Sequence, residues 1–108
     1  MRFAVRFTTG ARSDLRAIHA SITRTDSVEN ADRVSREIVR AALRLGNLAH
    51  RGTNPPELAR QGRRVDRQIF FKPYRILYRI CGDTVFIGLI ADGRRDTAPL
   101  LARRFAAP

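Results

Sequence analysis

The segment from Tyr74 to Ile90 limits the possible folds of this chain more than any other. Tyr74, Ile76, Tyr78 and Ile80 alternate with Arg75, Leu77 and Arg79, the period-two pattern of a strand with one face buried. Gly82-Asp83 follows, and glycine reaches positive φ without steric cost, so a tight reversal is predicted there. Beyond it Val85, Ile87 and Leu89 alternate with Phe86, Gly88 and Ile90. This second strand is apolar on both faces, which predicts a central position with cover on both sides. The result is a β-hairpin that delivers arginines to one end of a sheet.

The rest of the chain must cover that sheet. Phe3, Val5 and Phe7 alternate with Arg2, Ala4 and Arg6 as a first strand, ended by Thr8-Thr9-Gly10. A helix is predicted to begin near Thr9 or Ser13, either of which can cap its first turn. Leu15, Ile18 and Ile22 form a narrow apolar stripe along it. Thr25-Asp26-Ser27 interrupts and recaps. A second helix is expected from about Val28 to Leu48, with Ala31, Val34, Ile38, Ala41, Ala42 and Leu45 inward and Arg33, Arg36, Arg40 and Arg44 outward. The two form a helical hairpin. Gly52-Thr53-Asn54-Pro55-Pro56 cannot continue a helix or central strand. Leu58-Ala59-Arg60 marks a short turn, and Arg63 to Phe71 reads as a strand with Val65, Ile69 and Phe71 leaning inward. Lys72-Pro73 then reverses the chain into the Tyr74 strand. The expected order is β-α-α-β-β-β in a single α+β domain over residues 1–108, with a basic tail at 93–108.

A chain of 108 residues has room for one core, and 44% hydrophobic with 29% charged residues is a globular balance. No apolar run approaches the roughly 20 residues that span a bilayer, so a cytoplasmic protein without membrane contact is expected. The net charge is +11, and Lys72 is the lone lysine among 21 basic residues. Residues 60–108 hold eleven basic residues against four acids, whereas 1–59 hold ten against six, so the excess leans toward the sheet and tail. Such charge attracts nucleic acid or an acidic protein, and arginine pairs two-pronged with phosphate and carboxylate.

Few residues suggest covalent chemistry. His19 and His50 lack a second histidine or carboxylate at ligand spacing, Cys81 is a lone thiol, and no glycine-rich loop precedes a lysine-serine pair, so no metal, cofactor or nucleotide hydrolysis is expected. Asp83, Asp92 and Asp96 read as turn formers or ion-pair partners. Arg75, Arg79, Arg94 and Arg95 could stabilise a charged transition state. Arginine stays protonated, however, and serves poorly as a proton acceptor. Tyr74 and Tyr78 could transfer protons, but they share the apolar face of their strand and read as core residues.

The β-α-α-β-β-β order, the Tyr74-Arg75-Ile76-Leu77-Tyr78 strand, the Gly82-Asp83 turn, the Gly93-Arg94-Arg95-Asp96 ending and the Leu100-Leu101-Ala102-Arg103-Arg104 tail together resemble the ParE/RelE superfamily of toxin–antitoxin toxins, and specifically its ParE branch. The resemblance implies a helical hairpin packed on a twisted, mainly antiparallel sheet, with a ParD-like antitoxin as partner. RelE-like members cut messenger RNA on the ribosome, whereas ParE-like members poison DNA gyrase. Arg75 and Arg95 match basic positions of the RNase branch. Leu101 falls where that branch carries tyrosine, and Asp66 and Gln68 lie nearest to where it carries lysines. The resemblance therefore implies a gyrase inhibitor that is not an enzyme, with a ribosome-dependent endoribonuclease and a non-toxic antitoxin-binding relic as alternatives. Direct nucleic-acid binding stays open.

Two surfaces follow as expectations. Arg75, Arg79, Arg94, Arg95, Arg103 and Arg104 are the target-binding candidates, and the last four are expected to be exposed beyond Gly93. Leu15, Ile18, Ile22, Val34 and Ile38 are the candidates for antitoxin contact, with an apolar and acidic segment lying across the helical hairpin and sheet.

Overall fold

The computed structural model describes residues 2–56, 66–94 and 98–104. Strand β1 (Ala4–Phe7) leads into α1 (Thr9–Thr25) and α2 (Val28–Leu43), which continues into a 3-10 turn at Arg44–Gly46. Then come β2 (Asp66–Phe71), β3 (Tyr74–Cys81), β4 (Thr84–Asp92) and a short helix α3 (Ala98–Arg104). The four described strands form one mixed sheet in the order β1-β4-β3-β2, with β1 parallel to β4 and the other pairs antiparallel. This is the α+β arrangement expected, with the helical hairpin packed on one sheet face. The turn expected at Leu58-Ala59-Arg60 and the strand residues Arg63 to Val65 lie outside the described residues.

Local chemistry explains where the helices start. Thr8, rather than Thr9 or Ser13, caps α1: its hydroxyl accepts from Ala11 N at 3.1 Å. Thr9 and Ser13 lie inside the helix, because the chain is already turning at the end of β1. Ser27 caps α2 by accepting from Asn30 N at 3.1 Å. Helix α2 is shorter than expected. Leu45 and Gly46 are buried in the 3-10 turn, where Gly46 O accepts from Phe3 N at 2.7 Å, tying the helix end to β1.

The core lies between the hairpin and the sheet. Ala31, Val34, Ile38, Ala42 and Leu45 are buried, as the period of α2 predicts, and the last four join one cluster with Ile76, Tyr78, Val85, Ile87 and Ile90 from the sheet. Leu15, Ile18 and Ile22 of α1 pack half-buried against the same cluster. Burying each large aliphatic side chain contributes about 1.5–3 kcal/mol. Gly82, with φ +60°, makes the tight turn between β3 and β4.

One expected face is wrong. Leu89 does not share a side with Val85 and Ile87, because the β3–β4 register shifts between Leu77 and Tyr78: Leu77 opposes Leu89 while Tyr78 opposes Ile87. Gly88 is the extra residue, and a bulge of this kind reverses the alternation beyond it. Ile90 therefore faces the hairpin. Leu77 and Leu89 form a second buried cluster on the opposite face with Ala91 and Leu100 of α3. The central strand β4 is thus covered on both sides near its end, while Phe86 stays partly exposed.

Candidate functional site

The sheet face away from the helical hairpin carries the arginines. Arg75 projects from β3 opposite Phe70, and although it is buried its guanidinium is bonded, donating from Nε (2.9 Å) and Nη2 (2.7 Å) to Gln68 Oε1. Arg79, two pleat repeats further along and beyond Leu77, donates from Nε to Asp66 Oδ1 at 2.9 Å. Asp66 is 0% exposed, so its carboxylate and Arg79 form a pair closed on one side and open on the other. The hydrogen bond to Asp66 raises the Arg79 pKa above the usual guanidinium value.

Helix α3 closes one end of this face. Arg104 Nη1 donates to Asp14 Oδ2 and to Gly88 O, both at 2.9 Å, and Nη2 reaches Asp14 Oδ1 at 3.2 Å. Asp14 Oδ2 also accepts from Ile90 N at 2.9 Å, so one carboxylate joins α1, the end of β4 and the C-terminal helix. Gly10 leaves room for this contact: a Cβ there would lie 2.8 Å from Arg104 Nη1. The expectation that Arg104 is an exposed tail residue is therefore overturned. It is bent back over the α1 start by the Asp14 carboxylate and the bulge carbonyl.

The other candidates are more dispersed. Arg94 is exposed and holds Asp92, its Nη2 lying 2.7 Å from Oδ2, and this hydrogen bond raises the guanidinium pKa. Arg103 is exposed. Arg95 lies outside the described residues. Between Arg79 and Arg104 opens a cavity of ≈560 Å³ lined also by Thr8, Thr9, Gly10, Cys81, Phe86 and Gly88.

Both tyrosines face the hairpin instead. Tyr78 is fully buried, donating to Ala49 O at 2.8 Å and accepting from Gly52 N at 2.9 Å. Burial raises its pKa above the usual phenol value. Tyr74 is also raised, first by burial and then by the neighbouring Asp92 charge. Each shift moves its group away from neutral pH. The phenols stay protonated and the guanidiniums charged, a set suited to binding anions and ill suited to accepting a proton.

For the antitoxin candidates, Leu15, Ile18 and Ile22 retain partial exposure on α1, whereas Val34 and Ile38 are closed into the core. Val34 and Ile38 offer no docking surface in this conformation, because α2 uses that stripe to bind the sheet. Sequence reasoning missed Asp14 and took Gln68 and Asp66 only as substitutes for lysines. Their roles arise from pairings across 90, seven and 13 residues, which no local pattern encodes. His19 likewise meets Asp32 across the hairpin, Nε2 to Oδ1 at 2.7 Å. Among the described residues no histidine, cysteine and acidic cluster could hold a metal, and no helix is long and apolar enough to cross a membrane.

A family model for the ParE toxin of the type II toxin–antitoxin system parDE matches residues 5–97. The chain belongs to the ParE toxin family. Among solved structures it is similar to the chromosomal ParDE toxin–antitoxin system of P. aeruginosa, with a TM-score of 0.70 and 21% identity over 84% of this chain and 96% of that one. It is also similar to the RelBE2 toxin–antitoxin complex of Mycobacterium tuberculosis, with a TM-score of 0.64 and 26% identity over 85% of this chain and 99% of that one. At 21% identity the first likeness speaks to fold alone. No curated protein matches the sequence. In this ParE-family chain the sheet face away from the helical hairpin holds Arg75 bonded to Gln68 and Arg79 bonded to Asp66.

Proposed function

We propose that this ParE-family toxin acts by binding DNA gyrase rather than by cutting messenger RNA, and that a cognate acidic antitoxin neutralises it. The observation that carries the reading is the pairing on the open sheet face. Cleavage next to a ribose 2′-hydroxyl needs a proton acceptor and a proton donor beside the stabilising cations. Arg75 and Arg79 are cations already bonded to Gln68 and Asp66, and the two tyrosines lie on the other side of the sheet with raised pKa values. Membership of the ParE family and the leucine at position 101, where the RNase branch carries tyrosine, favour the same reading.

The antitoxin half is supported by the similar structures, which are described as a ParDE toxin–antitoxin system and a RelBE2 toxin–antitoxin complex. The net charge of +11 favours an acidic partner. Primer extension on messenger RNA from translating ribosomes exposed to the purified protein tests the mode of action. No new cleavage sites are expected. Codon-specific breaks that disappear in Arg75→Ala would restore the endoribonuclease reading.

A further inference from the structure

Phe86 stands in register between two arginines on the sheet face away from the helical hairpin. Arg6 of β1 is its partner on one side and Arg79 of β3 on the other. Residues aligned across neighbouring strands project from the same face, and strands lie about 4.8 Å apart, so the two arginines arise about 10 Å from each other with the ring between them. Phe86 remains 36% exposed despite both neighbours, and no described aromatic ring stacks on it.

The ring opens onto the cavity of ≈560 Å³. Arg79 forms its β3 side, Thr9 and Arg104 its α1 side, and Cys81 lies toward the β3–β4 turn. Gly88 has no side chain to fill the hollow beside Phe86. Sites for small organic ligands span about 300–1,000 Å³, so one such molecule fits.

The chemistry of the walls selects the occupant. Arg6 is exposed and forms none of the described ion pairs. Arg104 bonds Asp14 and Gly88 O through Nη1 and Nη2, which leaves its Nε–H outside all three bonds. An exposed flat ring stacks on a nucleobase, and a guanidinium pairs two-pronged with phosphate. A carboxylate side chain brings charge without a base, whereas a nucleotide brings both. A strand of nucleic acid needs a groove open at both ends. This basin is bounded by Arg104 at one end and by Cys81 at the other, with room for a single nucleotide.

We propose that the basin binds a purine nucleoside monophosphate, its base stacked on Phe86 and its phosphate paired with Arg6 on the β1 side, near Thr9 and the Arg104 Nε–H. This site goes beyond gyrase and antitoxin recognition and depends on neither.

Isothermal titration calorimetry of the full chain with AMP, GMP, adenosine and ribose 5-phosphate tests it. AMP or GMP is expected to saturate the protein below about 1 mM, and AMP to bind at least about tenfold more tightly than adenosine or ribose 5-phosphate. Phe86→Leu keeps apolar bulk but removes the flat ring, and should abolish the advantage of AMP over ribose 5-phosphate. Arg6→Gln should abolish the advantage of AMP over adenosine. Both substitutions alter exposed side chains, so circular dichroism should match the wild type. Cys81, the chain's only cysteine and a wall of the basin, should react more slowly with an alkylating reagent once AMP or GMP is bound. The proposal is overturned if neither mononucleotide saturates the protein, if either fragment matches AMP, or if a bound mononucleotide leaves Cys81 alkylation unchanged. A short single-stranded RNA that outbinds AMP and displaces it would assign the face to a nucleic-acid strand and overturn the mononucleotide site.

Discussion

Removing the Arg104 guanidinium should destabilise this protein far more than removing any other arginine of its C-terminal region. Arg104 contributes three hydrogen bonds, two to Asp14 and one to Gly88 O. The side chains of Arg104 and Asp14 are only 25% and 15% exposed, so water replaces these bonds poorly. Hydrogen bonds to charged groups contribute about 1.5–3 kcal/mol each in isolation, but they are not additive, and Asp14 keeps its bond from Ile90 N when Arg104 is gone. We expect Arg104→Ala to cost about 2–3 kcal/mol, which for a domain of this size lowers Tm by about 10–20 °C. Arg103→Ala and Arg94→Ala, which alter exposed side chains, should melt with the wild type. Urea denaturation of Arg104→Ala, Asp14→Asn and the double variant would expose the pair as a coupling energy of about 1–2 kcal/mol. Coincident unfolding curves for Arg104→Ala and Arg103→Ala, or strictly additive single variants, would refute the clamp.

Two further outcomes follow from the core. Tyr78→Phe strands the Ala49 carbonyl and the Gly52 amide, so it should cost about 1–3 kcal/mol in urea titration near neutral pH. Because the folded-state pKa of Tyr78 is raised, its contribution is fully present below about pH 10, where the unfolded phenol begins to ionise, and is lost as pH rises through the folded value. Stability should therefore decline above about pH 10, less steeply in Tyr78→Phe than in wild type. Ile38→Ala opens a cavity at a fully buried site and should cost about 2–5 kcal/mol by the same assay, while Ile18→Ala on the half-buried face of α1 should cost distinctly less. Equal losses for these two would contradict the placement of Ile38 in the core.

The fold was legible because its signals are local and repeated. The period of α2 foretold Ala31, Val34, Ile38 and Ala42 as its buried stripe, and the alternation in β3 separated Tyr78 from Arg75 and Arg79. The misplacement of Leu89 came from a bulge at Gly88, a one-residue slip that an all-apolar strand hides because either face looks buried. The same local reading had greater difficulty with the site. Arginines could be counted along β3 and the tail, but whether each is free or bonded depends on partners distant in sequence. Asp14 and Arg104 are 90 residues apart, and nothing around either marks the other. A run of arginines after Gly93 therefore read as a uniform exposed tail, whereas Arg94 is exposed, Arg103 is exposed, and Arg104 is a structural tie.

The most direct test of action without RNA cleavage is a supercoiling assay with purified DNA gyrase and the wild-type protein. Inhibition of supercoiling with accumulation of cleaved gyrase–DNA complexes, relieved by the cognate antitoxin, is the expected result. Gyrase that supercoils at its normal rate in the presence of excess folded protein would contradict it.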